Sequence, residues 1–196
     1  MKTETTDRVA DLMKAAGALM EGHFRLSSGL HSDEYCQCAK VAEHPEISEE
    51  LGRMLADLFR DHGVNVVISP AIGGIVIGYE VGRALGVRAI WAERVDGAMT
   101  MKRGFGVSPG ERVLIIEDVV TTGGSVREVA EVVKESGAEI VGFGFIMDRS
   151  RQPLDLPGPT KALLEARDMK TYDPDTCPLC ADGIPLVKPG SRPGTS

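Results

Sequence analysis

Glu117 and Asp118 stand side by side after four aliphatic residues, in the run VLIIEDVVTTGGS that spans 113–125. Two valines, Val119 and Val120, separate the acids from a turn made of Thr121, Thr122, Gly123, Gly124 and Ser125, which opens a helix. A buried strand ordinarily runs out into neutral turn formers, so the acid pair asks for a ligand. The turn's backbone N–H groups and hydroxyls lie at the positive end of a helix dipole and suit a single phosphate. Ionised carboxylates only accept hydrogen bonds, and two of them just ahead of a phosphate cradle suit the vicinal hydroxyls of a ribose 5-phosphate. The chain has neither a G-x-x-x-x-G-K phosphate loop nor a G-x-G-x-x-G dinucleotide turn.

Such a cradle needs a strand to deliver it and a helix to receive it. NVVIS, VRAIW, VLIIE and EIVGFGFIM read as strands too apolar to have a solvated face, and helices over 75–84 and 126–134 alternate with them. That alternation predicts right-handed crossovers and a doubly wound parallel α/β sheet with both faces covered. Ligands of open parallel sheets sit beyond the carboxyl ends of the strands. Four segments meet there: PAIGG, AERVDGAMTMKRG, DVVTTGGS, and Asp148 with Arg149. Ahead of this core the spacing predicts a helix over 5–20 closed near Gly22, a small hood of short extended pieces around Leu26 and Tyr35, and a helix over 45–59. The expected organisation is an N-terminal helix and hood over 1–44, a core over 45–152, and a Pro- and Gly-rich C-terminal extension over 153–196 that lies outside the core.

Composition narrows the functional classes. At 196 residues, 42% hydrophobic and 26% charged, the chain suits one domain with a full core. A net charge of -7 argues against a broad nucleic-acid footprint and confines any polyanion site to a local basic cleft. No segment reaches the roughly 18 apolar residues of a membrane span, and the polar, acid-bearing start does not read as a targeting peptide. A cytoplasmic protein that binds neither nucleic acid nor membrane is the expectation.

The run 113–125 resembles the phosphoribosyl pyrophosphate motif of the type I phosphoribosyltransferases. By that resemblance Glu117 and Asp118 take the ribose hydroxyls, residues 121–125 take the 5-phosphate, and Asp118 is essential to turnover. The resemblance also implies magnesium bridging the substrate's pyrophosphate and ribose oxygens, with no protein ligand assigned to it. SPAIGG resembles the family's pyrophosphate-binding turn, formed here by Ala71, Ile72 and Gly73, with Ala71–Ile72 as the candidate non-proline cis bond.

The hood segment GHFRLSSGLHSDEYCQCAKV is similar to the F-x-L-x-S-G-x-x-S-x-x-Y element of the orotate-specific members, and IMDRS resembles their L-D-R element. This implies transfer of ribose 5-phosphate to orotate, giving orotidine 5'-monophosphate and pyrophosphate in pyrimidine synthesis. Tyr35 then belongs to the base pocket, Thr121 reaches the ligand from the phosphate loop, and the guanidinium of Arg149 meets the planar, anionic base. Two departures stand out: Ser27 occupies the place of a lysine, and Cys36 that of a second aromatic. The family's mobile catalytic loop is represented by AERVDGAMTMKRGFG, where Arg94 aligns with the loop arginine, Lys102 and Arg103 supply charge for the pyrophosphate, and the usual histidine is missing. In related enzymes this loop crosses to a neighbouring subunit, which implies a homodimer. The competing readings are a transferase for a purine or other base, and a non-catalytic nucleotide sensor on the same fold.

The four cysteines form two close pairs. Cys177 and Cys180 make half of a zinc knuckle, which Cys36 and Cys38 would complete only if the tail folded against the hood. Reduced, unligated thiols are the preferred alternative.

Overall fold

The computed structural model describes residues 4–26, 28–166 and 169–189. A six-stranded sheet runs through the chain in the order β5-β4-β3-β6-β7-β8. Its members are β3 (Val66–Pro70), β4 (Arg88–Val95), β5 (Ala98–Thr100), β6 (Arg112–Val120), β7 (Glu139–Asp148) and β8 (Thr160–Glu165). Every pairing is parallel except β4 with β5. The alternation of side chains along each strand sorts them into two cores. Val67, Leu114 and Ile116 pack with α1 (Glu4–Ala15), α2 (Pro45–Asp57) and α3 (Gly74–Leu85) through Leu12, Leu51, Leu55 and Ile77. Val66, Ile68, Val113 and Ile115 pack on the other face against Val126, Val129 and Val133 of α4 (Gly124–Glu135). This is the doubly wound α/β class read from the strand–helix alternation.

The structure differs from the sequence reading at four places. Helix α1 stops at Ala15 rather than continuing to residue 20. Gly17 takes φ +65 and the Ala18 N–H reaches back to the Met13 carbonyl at 2.8 Å, a glycine stop of the Schellman kind. The following Leu19–Arg25 forms β1, which pairs antiparallel with β2 (His31–Cys36) to make the hood. Strand β6 continues past the acid pair to Val120, because Val119 and Val120 still pair with Met147 and Asp148 of β7. Part of AERVDGAMTMKRG is a β4–β5 hairpin, turned by Asp96 and Gly97 at φ 51 and 87, the double left-handed turn that suits a two-residue loop. Finally, residues 160–165, read as part of an appended tail, add edge strand β8 to the sheet through pairs such as Phe145↔Ala162.

The rest of the C-terminal segment straddles the hood. Tyr172 exchanges both backbone hydrogen bonds with His31 of β2 at 2.9 Å. On the β1 side, the Val187 N–H donates to the His23 carbonyl and the Arg25 N–H to the Val187 carbonyl, each at 2.8 Å. A four-residue helix, α5 (Pro178–Ala181), lies between these two bridges. No helix among the described residues is long and apolar enough to cross a membrane.

Candidate functional site

Two cavities open at the carboxyl ends of β6 and β7. The smaller, of about 250 Å³, is lined by Arg94, Glu117, Val119, Val120 and the whole turn 121–125. Gly123, at φ +74, swings the chain from β6 into α4, so the free N–H groups of the first helical turn face the cavity. The Thr122 carbonyl accepts a hydrogen bond from Arg127, which holds the turn from the far side. Arg94 reaches this cavity while ion-paired with Glu128 at 2.6 Å.

Consecutive residues of a strand point to opposite faces, and the acid pair obeys that rule. Glu117 faces the cradle, whereas Asp118 lines a narrow crevice with Gly73 and Cys38. The loop that carries the cis Ala71–Ile72 bond closes over both acids. A Cβ on Gly73 would lie 3.0 Å from Asp118 Oδ2, and one on Gly74 2.8 Å from Glu117 Oε1, so two glycines are what permit this contact. The backbone N–H of Val119 donates to Asp118 Oδ1 at 2.7 Å. Burial pushes Glu117 up to about 9, with the neighbouring charge of Asp118 adding to the rise. Burial also raises Asp118, opposed by its hydrogen bonds from the Val119 N–H and with Glu117. The sequence reading took both acids as ionised; burial in this crevice favours the protonated form of each, most strongly for Glu117.

The larger cavity, of about 750 Å³, lies between the hood and the β7 end and is lined by Tyr35, Cys36, Thr121, Thr122 and Arg149 among others. Arg25, Arg127, Arg151 and Lys188 add positive charge, against one acid among the described residues, Asp155. This is the focal basic cleft that a chain of net charge -7 left room for. The Arg149 backbone is fixed by its N–H donating to the Val120 carbonyl at 2.9 Å, which sets it beside the phosphate turn. Tyr35 packs against Phe24 with ring centroids 5.6 Å apart and donates to Gln37 at 3.0 Å. Cys36 lies 3.3 Å from Cys38, and that hydrogen bond draws the Cys36 thiol below its usual range, helped by the charge of Arg149.

The remaining residues singled out in the sequence lie apart from these cavities or outside the described chain. Lys102 and Arg103 follow β5 and line neither cavity; Arg103, at φ 60, is paired with Glu93 at 3.2 Å. Ser27 lies outside the described residues. The oxygens that face the cradle, from Glu117, Thr121, Thr122 and Ser125, form a hard donor set of the kind hydrated magnesium accepts.

The sequence pattern of the phosphoribosyl transferase domain matches residues 38–171. The chain belongs to that family. It is 54% identical over 188 residues to the orotate phosphoribosyltransferase of Pelotomaculum thermopropionicum, covering 96% of this chain and 98% of the relative. The orotate phosphoribosyltransferase of Desulforamulus reducens is 52% identical over 186 residues, 95% of this chain and 97% of the relative. Among solved structures, the Mycobacterium tuberculosis H37Rv orotate phosphoribosyltransferase, in complex with Fe(III) dicitrate, superposes with a TM-score of 0.69 at 25% identity, covering 84% of this chain and 98% of that one.

Only Cys38 of the four cysteines lies inside the matched span 38–171, and the two cysteine pairs do not meet. Cys36 ends β2 and Cys38 follows it, five and more residues beyond His31, which is roughly 17 Å along a strand. Cys177 and Cys180 lie at the other end of the hood, beside His23 and His31. The four-cysteine clip is therefore corrected: strand length separates its two halves. Arg25, Arg127, Arg151 and Lys188 were missed in the sequence, because scattered basic residues give no local sign of converging on one cavity.

Proposed function

We propose that the chain is a magnesium-dependent orotate phosphoribosyltransferase, which moves ribose 5-phosphate from phosphoribosyl pyrophosphate to a ring nitrogen of orotate and releases pyrophosphate. The observation that carries the reading is that the phosphate cradle and the basic cavity share Thr121 and Thr122. A sugar phosphate held in the first therefore presents its anomeric carbon to a planar anion held in the second. Relatives of the same length and about half the same residues bear that enzyme's name, which favours orotate over purine bases.

The roles follow from placement. The N–H groups and hydroxyls of 121–125 hold the 5-phosphate, Glu117 and Asp118 hold the ribose hydroxyls, and the backbone of 71–73 receives pyrophosphate. Arg149 pairs with the carboxylate of orotate, with Tyr35 beside the ring. Bond breaking at the anomeric carbon runs ahead of bond making, as in glycoside hydrolysis, and no enzyme nucleophile is needed. Catalysis comes from holding both reactants in line and from donors aimed at the departing pyrophosphate, with Lys102 or Arg103 brought in by the loop after β5. Bound magnesium neutralises part of that leaving group's charge.

The enzyme works as a cytoplasmic homodimer in this reading. Ile72, Val76 and Tyr79 are 84%, 39% and 62% exposed and follow one another at i, i+4 and i+7. Ile72 stands in the turn before α3 and Val76 and Tyr79 on its first two turns, an exposed apolar patch for a second copy to cover.

The test mixes purified protein, magnesium and phosphoribosyl pyrophosphate with each candidate base and follows pyrophosphate release. Release with orotate alone is expected. Turnover with adenine or hypoxanthine would move the assignment, and no turnover with any base would favour a sensor.

A further inference from the structure

His23, His31, Cys177 and Cys180 offer one ligand atom each, all within 4.8 Å of one another. His23 Nε2 lies 2.9 Å from His31 Nδ1, 3.6 Å from Cys177 Sγ and 3.8 Å from Cys180 Sγ. Cys180 Sγ is 3.4 Å from His31 Nδ1. With bonds of about 2.05 Å to nitrogen and 2.3 Å to sulfur, the edges of a tetrahedral zinc site are roughly 3.3 to 3.8 Å. These three nitrogen–sulfur edges already fit, no pair of ligand atoms is more than 4.8 Å apart, and the two rings need to part by only a few tenths of an ångström. We propose that these four residues form a structural zinc site that clips the C-terminal segment onto the hood.

Three further features support the assignment. His23 Nδ1 lies 2.7 Å from the Ile184 carbonyl and must donate to it, so Nε2 presents a lone pair to the cluster. The β1–β2 register slips between Glu21 and Phe24, a bulge that includes His23 and re-aims its ring toward His31. The clipped segment also has almost no core of its own. Helix α5 buries nothing, and Ile184, Leu186 and Val187 are 40%, 45% and 50% exposed, whereas His23, His31 and Cys177 are all buried. A short segment without a core needs a staple, and metal binding is folding energy for such a segment. Two thiols and two imidazoles in one tetrahedron favour zinc over harder cations. On binding, both thiols lose their protons to solvent, and the His31 ring carries its proton on Nε2.

The clip reaches the substrate cavity. Ten residues after Cys177 the chain bridges to β1 at Val187, and Lys188 and Pro189 then line the basic cavity with Arg149. The metal thus holds one wall of that cavity while standing apart from the acid pair and the phosphate turn.

The experiment uses the full chain, without an affinity tag, purified without added zinc. Metal analysis is expected to find about one zinc per chain. Cys180→Ala changes an exposed residue, so the fold survives; it should lose the zinc, while Cys38→Ala keeps it. Replacement of zinc by cobalt should give the intense visible spectrum of a tetrahedral thiolate site, and chelation should speed trypsin cleavage after Lys170 several-fold. A chain with no zinc that also gives no cobalt spectrum would overturn the proposal. So would full zinc content in Cys180→Ala.

Discussion

Glu117 is where the site's chemistry meets its burial. Enclosure by the glycines of the pyrophosphate loop and the charge of Asp118 raise its pKa from 4.5 to about 9. The folded chain therefore binds more protons than the unfolded chain between those two values, and stability must fall as pH climbs through that window, levelling off above it. Glu117→Gln stays neutral, so its unfolding midpoint in urea should decline less between about pH 5 and about pH 9 than that of the parent chain. Equal slopes would place the proton elsewhere. The acid pair and the turn 121–125 were legible in the sequence because their chemistry is local: thirteen consecutive residues carry it. The protonation state was not, since it depends on a loop some forty residues earlier. Nor was the pairing of His23 with Cys177, residues 154 positions apart that meet only through the hood's register and the return of the tail.

At the scale of elements, the strand–helix alternation was readable because buried parallel strands are continuous apolar runs. The ends were not. The extension of β6 to Val120 is decided by pairing with β7, and β8, whose TKALLE favours a helix by composition, is held as a strand by the sheet edge it joins. The contact between the pyrophosphate loop and β6 offers a direct test. Gly74 opens α3, and its missing Cβ leaves room for Glu117 Oε1 at 2.8 Å and the Ile116 carbonyl at 3.1 Å. Alanine at a helical position normally gains up to about 1 kcal/mol over glycine. Gly74→Ala should therefore keep the melting temperature within a few degrees of the parent while lowering the rate of pyrophosphate release about tenfold or more, since small misplacements at a reacting centre are costly. Normal turnover would show that the acids tolerate displacement by this loop. A collapsed melting temperature would show instead that the close approach serves packing.

For the whole molecule, the homodimer proposed above can be tested together with the proposed role of the basic loop. Lys102 and Arg103 stand off both cavities of their own chain, and Arg103 is already engaged by Glu93. The apolar patch of Ile72, Val76 and Tyr79 includes the loop proposed to receive pyrophosphate, so a dimer formed there would set a second copy's surface beside that loop. If the loop acts across that boundary, Asp118→Asn and Lys102→Ala damage different halves of a shared site. Each variant alone should be nearly inactive. Mixed at equal amounts and allowed to exchange subunits, half of the dimers become hybrids with one intact site of two, so activity should return to roughly a quarter of the parent's. A loop acting within its own chain leaves the hybrid with one site lacking Asp118 and another lacking Lys102, and mixing then restores nothing. Tyr79→Glu, which places a charge in the patch, should turn the chain into a monomer by sedimentation and abolish this recovery in the same step.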